Sequence, residues 1–397
     1  MGDRGRTQRA QRRRRQIGTA ARIVCGVLAV AVLVASGWAW ASYRSFAAKI
    51  VRIDAIPPTP SVGPSTSAAH KDLDGKDQNI LIVGNDSRDG ATPAELADLG
   101  TTADPGASNT DTMMVLHIPA DGSRASVVSF PRDSYVAIPG HGMGKLNSAY
   151  SLGVQDARGD PAGGYRLLIR TLSALTGLTI DHFVSVGLLG FYRISNAIGG
   201  VPVCLLHAQN AQTDSDEYGS GYSGIDLKTG WQTIQGKQAL AFVRQRHGVP
   251  GGDLGRIDRQ HYFLSQAFKK IASTGTLLHP ATITKLLNAL RSSVQMDPRL
   301  DPLSLLSELG EMSAGNITFS DMPTNGSTIN SAGWVFLVNP AQVKAAMAAI
   351  IRKRPTPVAT GAPAPPAPMS TRGVTSSRST TPSQGTTPAR TTGQCID

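Results

Sequence analysis

Residues Ile23–Tyr43, IVCGVLAVAVLVASGWAWASY, carry no charge over 21 positions. No other stretch of the chain compares with it. A run of that length matches the hydrocarbon core of a bilayer, about 30 Å thick, when it is helical. Trp38, Trp40 and Tyr43 stand at one end, where an interfacial aromatic belt is expected. Arg12–Arg15 precede the run, and flanking positive charge keeps its side of a span in the cytoplasm. The run is long for a cleaved signal peptide. The expectation is a single N-terminal transmembrane helix, with the body of the chain outside the cell.

The charge pattern agrees with that division. The net charge is +11, but the first 22 residues hold eight Arg against Asp3, which is +7 and leaves +4 for the rest. The basic pI therefore reports the tail, and charge alone does not argue for a nucleic-acid partner. Five regions follow: a cytoplasmic basic tail (1–22), the transmembrane helix (23–43), an extracellular stem (44–76), a folded domain (77–353) and a Pro/Thr/Ser-rich tail (354–397). The last has almost no large apolar residues to offset its ordering entropy, so disorder is expected.

Within the body, short apolar runs alternate with helical patterns. Asn79–Gly84, Asn109–Pro119 and Ala125–Asp133 read as strands, the last two as a hairpin through Ala120-Asp121-Gly122. Gly90–Ser108 is polar and reads as a long loop. Tyr165–Thr176 and Leu188–Ile198 read as helices, with strands at His182–Val186 and Val201–Leu206. Ala281–Val294, Pro302–Glu311 and Pro340–Ile351 read as helices, and Asn316–Asp321 and Gly333–Leu337 as strands. The fold class is α/β, a layered αβα domain with a mixed central sheet.

The chemistry concentrates in Gly236–Gln260, GKQALAFVRQRHGVPGGDLGRIDRQ, where an apolar run leads into Arg244, Arg246, Asp253, Arg256, Arg259 and Gln260. Guanidinium forks suit phosphate oxygens. The alternative is a solvated basic loop. Gly255 is read as preceding a helix whose first turn carries Arg256. Arg256 and Gln260, four apart, then share a face. Arg244 and Arg246 point the same way only from an extended segment. Asp86 and Asp111 each sit where a strand meets a loop. Two carboxylates brought together there suit a hard divalent cation, Mg2+ with Mn2+ as the alternative, although Asp in turns is common. Arg88 is either a phosphate ligand or an ion-pair partner of Asp86. Arg132 is either a cation at a strand end or a turn partner of Asp133. No HExxH, GxSxG or GxxxxGK[ST] pattern occurs, which leaves zinc proteases, serine hydrolases and P-loop kinases without support. Cys204 and Cys395 lie on the expected oxidising side and are either bridged or separate, one buried and one a free terminal thiol.

Several segments in one order, NILIVGNDSR, NTDTMMVLHIP, FPRD, KLNSAY and the Gly236–Gln260 run, resemble the LytR-CpsA-Psr family of membrane-anchored cell-wall enzymes. The resemblance covers roughly Asn79 to Lys270. Asn109-Thr110 stands where an Arg-Ser pair is frequent, and Tyr135-Val136 where some relatives carry a second basic residue. The resemblance implies a phosphotransferase that moves a teichoic-acid-, capsule- or arabinogalactan-type glycopolymer from a polyprenyl-pyrophosphate carrier to peptidoglycan, with pyrophosphatase activity on the side. It implies metal on Asp86 and Asp111, pyrophosphate on Arg88, Arg132, Lys145, Arg244, Arg246, Arg256 and Gln260, and Asp253 as a base or a helix cap. Asn147 would stand near that site. The apolar Leu167–Leu175 and Leu188–Ile198 segments are either core or the wall of a lipid tunnel. The rival functions are a non-catalytic polyprenyl-phosphate binder and a membrane-attached regulator.

Overall fold

In a computed structural model the described residues are 50–57, 77–88, 90–100, 110–120, 124–210, 223–245, 248–250, 253–272, 294–301, 317–352 and 395–396, with isolated positions in 26–44 and 285–289. The expected transmembrane run falls largely outside them. Among the described residues no helix is long and apolar enough to cross a membrane. Met1–Ile50 forms a unit separate from Val51–Asp397.

The second unit is built on a seven-stranded sheet in the order β1-β10-β7-β2-β3-β4-β11. Its strands are β1 (Val51–Arg52), β2 (Gln78–Asn85), β3 (Thr110–Ile118), β4 (Ala125–Ser129), β7 (His182–Gly187), β10 (Val294–Met296) and β11 (Ile317–Asp321). The sheet is mixed, as expected: β2 runs parallel to β7 and antiparallel to β3. β3 and β4 form the anticipated hairpin.

Strand parity sorts the side chains into two layers. Leu81, Val83, Met113, Val115 and Phe183 point into one core. That core is closed by α2 (Ser148–Asp156), α3 (Pro161–Thr176) and α7 (Pro340–Arg352). Ile82, Met114 and Val186 point the other way, toward α4 (Leu188–Ala197), α5 (Gly236–Arg244) and α6 (Asp253–Ala272). The αβα layering follows. α2 and α3 cross closely because Gly163 has no side chain; a Cβ there would lie 2.4 Å from the Gly153 carbonyl oxygen.

Several expectations are corrected. The stem does not run unbroken from 44 to 76. Val51–Arg52 pairs with β10, Arg52 Nη1 donates to the Asp297 and Leu300 carbonyls at 2.9 and 2.7 Å, and Ala55 is fully buried. The Gly90–Ser108 loop contains α1 (Pro93–Asp98), which Thr92 and Glu95 cap reciprocally. Arg193 on α4 grips Glu95 at 2.8 Å, and Tyr192 donates to Asp98 at 2.7 Å. The stretch after FPRD holds β5 (Ser134–Ile138) and β6 (Gly142–Lys145), which join β13 (Gly333–Leu337) and β12 (Ser327–Asn330) in a second sheet. Of its strands only Gly333–Leu337 was expected; β5–β6 and β12–β13 are local hairpins, and the β13–β5 pairing joins them across about 200 residues. Val294 opens a strand rather than closing a helix. Pro302–Glu311, and most of Ala281–Val294, lie outside the described residues.

The end of the tail is also placed. Cys395 is joined to Cys204 on β8 (Val201–Leu205) by a disulfide. Ile396 is buried, and its backbone exchanges hydrogen bonds of 2.9 Å with the Cys204 carbonyl and the Leu206 N–H. Disorder over all of 354–397 is therefore overturned at this end; residues 353–394 lie outside the description. The bridge closes a separation of 191 residues. Because backbone pairing and the Ile396 side chain also hold the end, its loss is expected to cost about 2 kcal/mol, the low end of the usual range. Non-reducing peptide mapping should recover a Cys204–Cys395 pair, and the Cys204→Ser/Cys395→Ser protein should melt a few degrees lower. Two free thiols in protein purified without reductant would contradict the pairing.

Candidate active site

The sheet face opposite the main core borders a cavity of about 590 Å3. Its body is apolar, with Ile82 and Met114 from the sheet, Phe191 and Ile194 from α4, and Phe263 and Phe268 from α6. Its polar end collects Asp86, Asp111, Thr112, Arg244, Arg256 and Gln260. These residues lie up to 174 positions apart in sequence, from Asp86 to Gln260. Strand ends and helix ends bring them together at one edge of the sheet, the usual place for a site in α/β proteins.

Asp86 follows the last residue of β2. Asp111 is placed by an irregularity in the ladder. Gly84 pairs with Thr112 but Asn85 pairs with Thr110, so Asp111 is the extra residue of a β-bulge. Regular alternation would send Asp111 to the face of Met113 and Val115. The bulge instead brings it to the cavity beside Thr112. Burial raises the Asp86 carboxyl above the ordinary carboxylate range, and the charge and hydrogen bonding of Asp111 raise it further; Arg244 and Arg88 oppose the shift. The two carboxylates therefore face one another at close range. A donor set of carboxylate oxygens with that mutual repulsion fits a hard divalent cation.

Arg132 lies at the rim. Its Nη1 donates to Asp111 Oδ1 at 2.5 Å and its Nε to Asp133 Oδ2 at 3.3 Å. It is the turn partner of Asp133, and it also pairs with Asp111, which lines the cavity. Lys145 is one step back, with Nζ 2.9 Å from Asp133 Oδ1. Asn147 closes the same turn, its N–H donating to the Arg132 carbonyl at 3.1 Å and its own carbonyl accepting from Thr110 Oγ1 at 3.4 Å. Neither Lys145 nor Asn147 lines the cavity. Arg88 is felt at Asp86 but does not line the cavity either.

Arg244 is the last residue of α5, where its cation also complements the helix C-terminus. It does not come from an extended segment; the chain becomes extended only at Gln245, φ −59° and ψ 134°. Arg246 and the side chain of Asp253 lie outside the described residues. α6 begins at Asp253, earlier than expected, so Gly255 sits within its first turn. A Cβ on Gly255 would fall 2.2 Å from the Pro250 carbonyl oxygen, so only glycine lets the preceding turn pack that closely. Arg256 and Gln260 share the cavity face, as their spacing implied. Arg256 is only 5% exposed. Gln260 Nε2 donates to the Val243 carbonyl at 3.3 Å, and its Oε1 accepts from Thr112 Oγ1 at 3.4 Å.

Two contributors escaped sequence reading. Nothing in one strand reveals that Thr112 faces Gln260, 148 residues away. Arg259 looked like one more basic residue, yet it is fully buried. Its guanidinium lies 5.0 Å over the Phe242 ring and donates to Gln245 Oε1, and Gln245 Nε2 donates to Gln209 Oε1 at 2.8 Å. It holds the turn between α5 and α6 in place.

A family model described as the LytR_cpsA_psr family matches residues 58–351. The chain belongs to the LytR-CpsA-Psr family. The match extends beyond the Asn79–Lys270 resemblance at both ends, and past Lys270 it takes in β10, β11, β12, β13 and most of α7. Among relatives, the cell wall biosynthesis protein LcpA of Corynebacterium glutamicum is 38% identical over 267 residues, 62% of this chain and 49% of LcpA. The polyisoprenyl-teichoic acid–peptidoglycan teichoic acid transferase TagU of Oceanobacillus iheyensis is 34% identical over 67% of this chain and 72% of its own length. The aligned part is thus about half the length of LcpA. The structure of B. subtilis TagV shares the fold with a TM-score of 0.53 at 21% identity, over 70% of this chain and 96% of that one.

Proposed function

We propose that the protein is a glycopolymer transferase of cell-wall assembly, taking a polymer from a polyprenyl-pyrophosphate carrier and joining it to peptidoglycan. One observation carries this reading: an apolar cavity of about 590 Å3 that ends in paired carboxylates and two guanidinium groups. A long hydrocarbon with an anionic head matches both halves. The family membership and the printed activity of TagU support the reaction class. The uncharged Ile23–Tyr43 run supports a cytoplasmic-membrane location, with the site on the outer side where a lipid-linked donor is confined.

In the reaction, a sugar hydroxyl of peptidoglycan attacks the phosphorus that bears the glycopolymer. The bridging P–O bond breaks, polyprenyl phosphate leaves, and the polymer ends in a phosphodiester. Such transfers depend on positioning and on charge stabilisation. Arg244 and Arg256 would hold the pyrophosphate oxygens, and Arg132 would steady Asp111 at the rim. Mg2+, or Mn2+, held by Asp86 and Asp111, would neutralise phosphate charge when bound. The hydroxyl proton needs an acceptor, and Asp253 at the start of α6 is the candidate. Water in place of the sugar would give pyrophosphate hydrolysis as a side reaction.

The test is a purified full-length protein in detergent with a polyprenyl-pyrophosphate-linked glycopolymer and peptidoglycan fragments. Release of polyprenyl phosphate together with polymer-bearing peptidoglycan, dependent on Mg2+, is expected. Tight binding of the donor without any turnover would instead leave a carrier-binding protein.

A further inference from the structure

Away from the cavity, α6 carries a second group of ligand-type side chains. Asp258 and His261 are three apart and so lie one turn from each other on the helix. They face the edge of the main sheet, on the side of α6 turned away from Arg256 and Gln260. Asp321 closes β11 there, in register with Ser129 at the end of β4. One oxygen from each Asp and one ring nitrogen of His261 lie within 4.8 Å of one another. His261 Nε2 stands 2.5 Å from Ser129 Oγ and 3.8 Å from Asp321 Oδ1. The Phe319 ring, 5.5 Å from the imidazole, walls the inner side. Asp321 is open to solvent, which gives an ion a way in.

We propose that Asp258, His261 and Asp321, with Ser129 as a fourth donor, form a second divalent-cation site, distinct from the Asp86–Asp111 pair. One imidazole nitrogen with two carboxylate oxygens and a hydroxyl suits Zn2+ or Mn2+ better than Mg2+. Separations up to 4.8 Å are wide for a closed shell and need only rotamer adjustment to contract around an ion, since Asp321 ends a strand at the surface. The electrostatics of the cluster agree. Burial lowers the His261 imidazole to about 4, so it is neutral and has a lone pair at neutral pH. Burial and the Asp258 carboxylate raise Asp321 to about 6, a sign of two carboxylates held together that a cation would relieve. A bound ion would tie α6 to the β4–β11 edge and so fix the pitch of the helix that presents Arg256 and Gln260. The proposal does not depend on the transferase reading.

The test is metal binding by full-length protein without a polyhistidine tag. Wild-type protein, Asp86→Asn/Asp111→Asn, Asp258→Asn/Asp321→Asn and His261→Gln are dialysed against micromolar Zn2+, and separately Mn2+, in millimolar Mg2+. Metal per chain is then measured by mass spectrometry. One equivalent of Zn2+ or Mn2+ is expected in wild type and in Asp86→Asn/Asp111→Asn, and less than a tenth of that in Asp258→Asn/Asp321→Asn. Binding to the folded state alone should also raise the wild-type Tm by several degrees at saturating ion. The Tm of Asp258→Asn/Asp321→Asn should not respond. His261→Gln reports on the imidazole. If it fails to fold, the carboxylate variants still decide, because Asp321 lies at the surface. No retained ion in wild type, equal retention in Asp258→Asn/Asp321→Asn, or loss in Asp86→Asn/Asp111→Asn alone would overturn the site.

Discussion

Arg244→Ala is expected to slow glycopolymer transfer by roughly ten- to a hundred-fold while leaving the apo protein almost as stable as wild type. The rate estimate rests on the loss of a charge-assisted hydrogen bond, on the order of 1.5–3 kcal/mol, with about 1.4 kcal/mol for each factor of ten. The stability estimate rests on position. Arg244 is an exposed residue in the last turn of α5, so truncation removes a favourable helix-end charge worth about 0.3–1 kcal/mol and little packing. Arg244→Lys should fall between, since it keeps the charge and loses the planar fork. Arg256 makes the sharper contrast. It is buried, so Arg256→Ala should lower both the rate and the melting temperature. In the double variant the two losses of rate should be less than additive, because both side chains would hold one pyrophosphate. Transfer rates and melting curves on the same preparations check this. A wild-type rate in Arg244→Ala would remove the clamp from the mechanism.

Asp111→Asn and Asp86→Asn are expected to cost more, on the order of a thousand-fold, if both carboxylates hold the ion that neutralises the phosphates. A metal contributes several kcal/mol of charge stabilisation in such a site. Their effects on stability should differ. Asp86 has a folded carboxyl raised above its unfolded range, so the folded state holds the extra proton. Its contribution to stability is fully present below the unfolded carboxylate range and is lost as pH rises through the folded value. At neutral pH it therefore destabilises the apo protein. Asp86→Asn should raise the apo melting temperature at pH 7, and the gain should shrink as pH falls toward 4. Added Mg2+ should stabilise wild type and not the variant. Asp111→Asn breaks the pair with Arg132 and should bring no such gain. Melting curves between pH 4 and 8, with and without Mg2+, measure both. An Asp86→Asn protein that melts no higher than wild type at pH 7 and still responds to Mg2+ would remove the carboxylate pair.

The parts of the site that sequence showed were local ones. NILIVG leads through Asn85 to Asp86 because a short apolar run must stop where the sheet meets solvent. The spacing of Arg256 and Gln260 placed them on one face because helical geometry leaves no alternative at four residues. The Cys204–Cys395 bridge stayed undecided, since two thiols on the oxidising side state no distance. The Asp111 bulge, the Thr112–Gln260 contact and the full burial of Arg259 left no local mark. Each arises from pairing between segments that share no periodicity.

The same division runs through the whole protein. Sequence alone determined the alternation of strands and helices, the charge-free N-terminal run and the clustering of arginines, because these depend on periodicity, turn residues and charge along one stretch of chain. The tertiary structure alone decided which side chains meet. It bent Asp111 out of strand alternation toward Asp86, ended α5 at Arg244 instead of extending it, and buried Arg259 against Phe242. It also built the second sheet from β5, β6, β12 and β13, and brought Ile396 back to β8. Those outcomes are set by register, crossover and packing between distant segments, whose energies exist only once the segments have met.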